Sequence, residues 1–187
     1  MGQVNPDYGH PSPSIRRDLH IEGADYYRVQ LSKDAPRKLG EGNFSYCVMV
    51  TKGKMTLEID FPENQKIALK EGDVVAISGL SNHSFTSENK SKIEPLRFEA
   101  QPMKSELGGD NNAIIGFIPN EALALASWLM GPIMILRDQH QMLSRRVWNA
   151  IQMLEDEYEQ ELADNDLIIK RLTEIILINF ARRRQEE

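Results

Sequence analysis

Apolar and polar residues alternate most clearly from Lys54 to Asp60, where Met55, Leu57 and Ile59 are separated by Thr56 and Glu58. A period of two predicts a half-buried strand. The preceding run, Phe44-Ser45-Tyr46-Cys47-Val48-Met49-Val50, has little polar alternation, as expected of a strand covered on both faces. Lys52-Gly53-Lys54 separates the two and predicts a tight turn. Glu71-Gly72-Asp73 predicts a second turn, which opens into Val74-Val75-Ala76-Ile77 and then a loop to His83. Gly72 offers the positive φ that such turns use. Phe44 to Phe85 therefore reads as two β-hairpin halves hinged on Gly53 and Gly72.

Further strands are expected at Tyr26 to Leu31, Lys66 to Leu69, Leu96 to Ala100 and Ala113 to Phe117, joined by polar loops. After Pro119 the period lengthens to about 3.6 residues. A short helix over 120–130 ends at Gly131-Pro132, since proline cannot continue it. An apolar extended piece, Pro132 to Leu136, leads to a long helix over about 139–162, with Leu143, Val147, Ile151, Leu154 and Tyr158 on one stripe. A last helix over about 166–184 carries apolar residues over much more than one stripe and must be buried on two sides. The barrel and the neighbouring helix supply both sides, or one side meets the same helix of a second subunit. Residues 1–14, with Gly2, Pro6, Gly9, Pro11 and Pro13, read as an N-terminal arm. The expected organisation is thus the arm, a β part over 15–118 and a helical segment over 119–187.

Short strands at near-regular spacing with glycine turns suggest a small barrel or jelly roll. The order Gly53, then Glu71-Gly72-Asp73, then a loop into His83 resembles the barrel of the cupin superfamily. More narrowly, the stretch from Ala24-Asp25-Tyr26-Tyr27 to the terminal arginines resembles the cupin-type effector-binding and dimerisation domain of AraC-type transcription regulators. That resemblance implies a mainly β fold with C-terminal α structure, a cupin-like jelly-roll β-barrel followed by an antiparallel helical dimerisation module. It also implies a homodimer paired through the helices, with Leu143, Val147, Ile151, Leu172, Ile175 and Ile176 as the expected interface. In relatives the N-terminal arm folds over a bound ligand; the plain alternative is a frayed terminus. Regulators of this type carry two helix-turn-helix units after these helices, and this sequence stops at Glu187. DNA contact would belong to that missing part, whether the chain is an excised domain or a stand-alone relative.

A barrel interior walled by Phe44, Tyr46 and Val48 on one strand and Met55 and Leu57 on another, with His83 and Phe85 beyond them, is apolar with Tyr46 and His83 as polar handles. Such a lumen suits a small, partly apolar effector. The alternative is that these side chains simply fill the barrel.

Composition narrows the choice. The 187 residues are 41% hydrophobic and 27% charged, ordinary for a soluble globular chain. Net charge is −6 and the parts before and after Pro119 are both negative, so neither is built for phosphates. Arg182-Arg183-Arg184 complements the dipole of a helix end, and two glutamates lie close behind. The single Cys47 excludes an intramolecular disulfide and fits a reducing cytoplasm. No signal-like amino terminus and no apolar run of membrane-spanning length occur, so a cytoplasmic location without membrane contact is expected.

Metal-binding cupins resemble one another in a His-x-His pair and a glutamate on the first hairpin and a histidine on the second. Here Cys47, Val48 and Met49 stand near the first place, and no histidine lies between His20 and His83. No metal and no cofactor is therefore expected. Cys47 reads as packing, Glu71 and Asp73 as a solvated turn, and no phosphate-binding glycine loop appears. The expectation is a sensing module rather than an enzyme. The alternatives are a small stand-alone cupin enzyme, metal-dependent or isomerase-like, and a purely structural homodimer with a filled barrel.

Overall fold

The computed structural model describes residues 23–32, 44–59, 64–78, 83–86, 97–101, 103, 110–119, 133–137, 141–160 and 164–185. In chain order these form β1 (Asp25–Ser32), β2 (Phe44–Lys52), β3 (Lys54–Ile59), β4 (Gln65–Lys70), β5 (Val74–Ile77), β6 (His83–Thr86), β7 (Arg97–Gln101), β8 (Asn112–Pro119) and β9 (Ile133–Leu136). Two helices follow, α1 (Gln141–Gln160) and α2 (Asn165–Gln185), where helices over about 139–162 and 166–184 were expected. The arm over 1–14 and the short helix over 120–130 lie outside the described residues.

The turn expected at Lys52-Gly53-Lys54 is not a hairpin. β2 pairs with β5, from Tyr46 opposite Ile77 to Met49 opposite Val74, while β3 pairs with β4, from Lys54 opposite Lys70 to Ile59 opposite Gln65. β2–β3 and β4–β5 are therefore the two edges of one antiparallel ribbon, which bends where Gly53 and Gly72 take φ of 82° and 91°. Gly72 N donates to Val50 O, Glu71 N to Gly53 O and Val50 N to Asp73 O, each at 3.0 Å, so the bend keeps its backbone groups paired. A Cβ on Gly53 would run into Asp110 O and into Asn111 Oδ1, the atom that accepts from Lys54 N at 3.0 Å. A left-handed glycine serves a hairpin turn and a sheet-to-sheet bend equally well, which is why the sequence pattern alone misreads this one.

The bend divides the strands into a six-stranded sheet, ordered β7-β1-β8-β2-β5-β9, and a three-stranded sheet, ordered β4-β3-β6. All pairings are antiparallel. Among the described residues no ladder joins the two sheets, which form an open facing pair where a closed jelly-roll barrel was expected. β9 pairs with β5, which carries the sheet to Leu136, past the boundary expected at 118.

Register sorts the large sheet into two apolar faces. Val29, Ala113, Ile115, Tyr46, Val48, Val50, Val75 and Ile77 pack against Met55, Leu57, Ile59 and Leu69 from the small sheet. The alternate residues, among them Tyr26, Cys47, Met49, Val74, Ala76, Ile114 and Met134, pack against the helices. The uninterrupted apolar run of β2 follows from this double burial. On α1, Leu143, Val147, Ala150, Ile151 and Leu154 form the buried stripe; on α2, Ile169, Leu172, Ile176, Leu177 and Phe180 join the same core. Each fully buried large side chain contributes about 1.5–3 kcal/mol. The sheet and α1 thus account for most of the broad apolar surface of α2, and Leu167, Ile175 and Ile178 remain exposed. Among the described residues no helix is long and apolar enough to cross a membrane.

Candidate ligand-binding site

One row of the interior face runs in register across five strands: Asp25, Phe117, Tyr46, Ile77 and Ile133. Phe117 is its centre. Its ring lies 5.6 Å from Tyr27, 6.3 Å from Phe44 and 5.4 Å from Tyr46, each close to perpendicular. Edge-to-face contact suits the quadrupoles of these rings. Phe44 and Tyr27 are 39% and 36% exposed while Tyr46 is 3% exposed, so the cluster is an aromatic rim with a closed inner side. Burial raises the Tyr46 pKa, so its phenol stays protonated and neutral at physiological pH.

The next row inward is Tyr27, Ile115, Val48, Val75 and Ile135. Val48, Val75 and Ile115 are fully buried, as are Met55 and Leu57 from the opposite sheet. Of the residues expected to wall the lumen, Phe44 and Tyr46 therefore stand at the rim, and Val48, Met55 and Leu57 are packed floor. His83 and Phe85 lie in β6, opposite Ile59 and Leu57 in the ladder, and their side chains are outside the described set. Tyr27 and Phe117 were not singled out from the sequence. Their signal is the alternation of Tyr27 with Val29 and of Ala113, Ile115 and Phe117, which assigns both aromatics to the face of Tyr46.

The same strands carry the helical hairpin on their other face. Tyr26 lies over Gly116, where an added Cβ would stand 2.5 Å from its ring. Thr173 Oγ1 donates to Ile169 O at 2.8 Å, so the Tyr26 hydroxyl is the donor in its 2.9 Å bond to Thr173 Oγ1. Tyr26 N donates to the Tyr158 hydroxyl at 3.2 Å, and Arg28 Nη2 meets Glu155 Oε1 at 2.6 Å. Trp148 Nε1 donates to Gly72 O at 2.8 Å, tying α1 to the bend of the ribbon. The elbow is closed by Asn165 Nδ2 donating to Glu157 O at 2.6 Å.

The residues expected at a subunit interface can be placed within this packing. Leu143, Val147, Ile151, Leu172 and Ile176 are buried within the chain's own core, because the sheet presents an apolar face as wide as the hairpin. Only Ile175 of that set is exposed, at 44%.

The described residues do not fit the metal that some cupins hold. Among them no three His, Cys, Asp or Glu side chains come together. Cys47 packs with the helices, on the face away from the interior, and burial pushes its thiol up to about 12.

Two facing antiparallel sheets with an apolar interior and a helical hairpin on the outer face define a mainly β fold with C-terminal helices. The chain belongs to the cupin family, whose description "Cupin" matches residues 16–184. No curated protein matches it. Among solved structures it is similar to the AraC-like transcriptional activator CuxR, at 14% identity and a TM-score of 0.47, over 86% of this chain and 49% of that one. It is also similar to ToxT from Vibrio cholerae, at 9% identity and a TM-score of 0.41, over 87% of this chain and 57% of that one. The chain thus spans about half the length of these two structures.

Proposed function

We propose that this chain is the effector-sensing and pairing part of an AraC-type transcription regulator, without catalysis of its own. A small, partly apolar molecule binds at the aromatic rim around Phe117. DNA contact is assigned to helix-turn-helix units, which are not part of these 187 residues. Pairing of two copies is assigned to the outer side of the hairpin, where Leu167, Ile175 and Ile178 are exposed, and the location to the cytoplasm.

The observation that carries this reading is the alternation along β1. Tyr27 belongs to the rim, while Tyr26 and Arg28, its neighbours in the chain, hold the hairpin through Thr173, Tyr158 and Glu155. A ligand that shifts Tyr27 moves the backbone from which those bonds are made. If it binds one placement of β1 and hairpin more tightly than another, it changes their populations and so the presentation of whatever is attached. A ligand with equal affinity for both placements changes nothing.

The test is a thermal-shift screen of small aromatic and aliphatic metabolites, followed by calorimetry on the intact chain and on Phe117→Ala. A true effector raises the melting temperature, and Phe117→Ala weakens its binding about tenfold, equivalent to ~1.4 kcal/mol. Equal binding to both chains removes the rim from the proposal. Light scattering on the same sample should give a dimer, and a monomer holding one metal per chain would move a cupin enzyme to the front.

A further inference from the structure

The neighbours of the aromatic rim decide which charge fits there. Asp25 stands directly opposite Phe117 in the β1–β8 ladder and shares its face of β1 with Tyr27. Residues paired in this way have their Cβ atoms about 4.5–5.5 Å apart, which puts an exposed carboxylate beside the ring cluster. Among the described residues, Asp25 is the one charged side chain in the row it shares with Phe117, Tyr46, Ile77 and Ile133, and the next row inward has none. Arg28, the basic residue of β1, is turned to the other face, where it meets Glu155.

The rings favour the same sign. An aromatic face attracts cations, and an edge-to-face pair leaves uncovered faces that a stacked pair would hide. Tyr27 and Phe44 both stand edge-to-face with Phe117 and are exposed. An anion at the rim would meet a carboxylate and negative ring faces together. A neutral molecule would strip water from Asp25 without replacing its hydrogen bonds, which costs free energy. A cation is matched to both. Depth limits its size, because Val48, Val75 and Ile115 are fully buried beneath the rim and leave only a shallow seat.

We propose that the molecule taken at the rim is a small organic cation of the quaternary-ammonium class, its charge set against Asp25 and its methyl groups against Tyr27, Phe44 and Phe117. This rests on the rim being the effector site and adds the charge and chemical class of what binds there. Asp25 and Tyr27 flank Tyr26, which carries the bonds to Tyr158 and Thr173. The cation therefore engages both chain neighbours of the residue that holds the hairpin.

The test is an NMR titration of the whole chain with three molecules of similar shape: choline, its uncharged carbon isostere neohexanol, and the anion of tert-butylacetic acid. Amides from Asp25 to Tyr27, Phe44 to Tyr46 and Ile115 to Phe117 should move saturably with choline, about tenfold more tightly than with neohexanol, and should not move with the anion. Asp25→Asn should remove most of that preference while leaving neohexanol binding unchanged. Phe44→Leu keeps apolar bulk but loses the ring, and should weaken choline roughly two- to fivefold and neohexanol less. Neohexanol binding reports on the rim in every variant, so a disturbed fold is not mistaken for a lost charge contact. Equal affinity for the three molecules, or full preference for choline in Asp25→Asn, would overturn the proposed charge while leaving the rim as a site. No response of these amides to choline would overturn it as well, and the comparison with Phe117→Ala then decides whether the rim binds any effector.

Discussion

The two faces of the six-stranded sheet are both buried, yet they are held in different ways. Toward the small sheet, Val48, Val75 and Ile115 meet Met55 and Leu57 in a packing of aliphatic groups, finished at one end by the rings around Phe117. Toward the helices the burial is as complete, but Tyr26, Arg28 and Trp148 add directional bonds to Thr173, Tyr158, Glu155 and Gly72. Apolar packing supplies cohesion and tolerates rearrangement if volume is kept. Directional bonds specify one placement among several that bury similar area. A face that accommodates, backed by a face that registers position, is the physical basis of the sensing role proposed above.

Truncating the core on each side gives the largest effect. Phe180→Ala removes a fully buried ring on the helix side and should cost about 3–5 kcal/mol; Leu57→Ala on the interior side should cost about 2–5 kcal/mol. Both variants should unfold in one urea transition with an unchanged m-value, because the two cores share the strands of one sheet. Tryptophan fluorescence in a Trp128→Phe background, where Trp148 alone emits, and far-ultraviolet circular dichroism provide separate probes. If Phe180→Ala splits into two transitions, the hairpin is an independent unit and the faces are not coupled through the sheet.

This difference between faces was only partly legible in the sequence. The alternation of β3 and the single stripe of α1 each have one buried side, so the periods of two and 3.6 report them directly. In β2 both sides are apolar, and no pattern says that Val48 faces the small sheet while Cys47 and Met49 face the helices. The same ambiguity hid the role of α2, whose breadth of apolar residues is equally suited to a sheet, a helix or a second subunit. Most of it is covered by the chain itself, and of its large apolar side chains Leu167, Ile175 and Ile178 remain exposed. Phe117 was missed because its importance comes from Tyr27 and Phe44 on the strands beside it, which are far away in sequence.

A pH titration next probes the thiol buried on the helix side. Burial holds the Cys47 thiol up to about 12 against an ordinary 9.0, and burial likewise raises Tyr26 and Tyr158 on the helix side and Tyr46 on the interior side, whose ordinary value is 10.0. Above pH 9 the unfolded chain loses the thiol proton while the folded chain keeps it. The unfolded state then binds fewer protons, so stability is full below that pH and falls as pH rises toward 12. The expected slope is about 1.4 kcal/mol per pH unit. Urea unfolding between pH 8 and about 9.5, below the range where the raised tyrosines contribute, should show the start of this fall in the intact chain and little of it in Cys47→Ala. An equally steep fall in Cys47→Ala would assign the effect to other groups.

Tyr26→Phe has the smallest expected effect and tests the distinction most directly. The ring over Gly116 is kept, so packing is unchanged and only the hydroxyl bond to Thr173 is lost. Thr173 still donates to Ile169 O, so no donor is orphaned and the cost should be about 1 kcal/mol. A double-mutant cycle with Thr173→Val isolates the pair. If the bond registers the hairpin, hydrogen exchange should quicken in α2 between Ile169 and Leu177 while amides of β2 and β8 keep their protection. A uniform rise across both regions would mean that the bond adds only to global stability, and the two faces would then differ in chemistry but not in role.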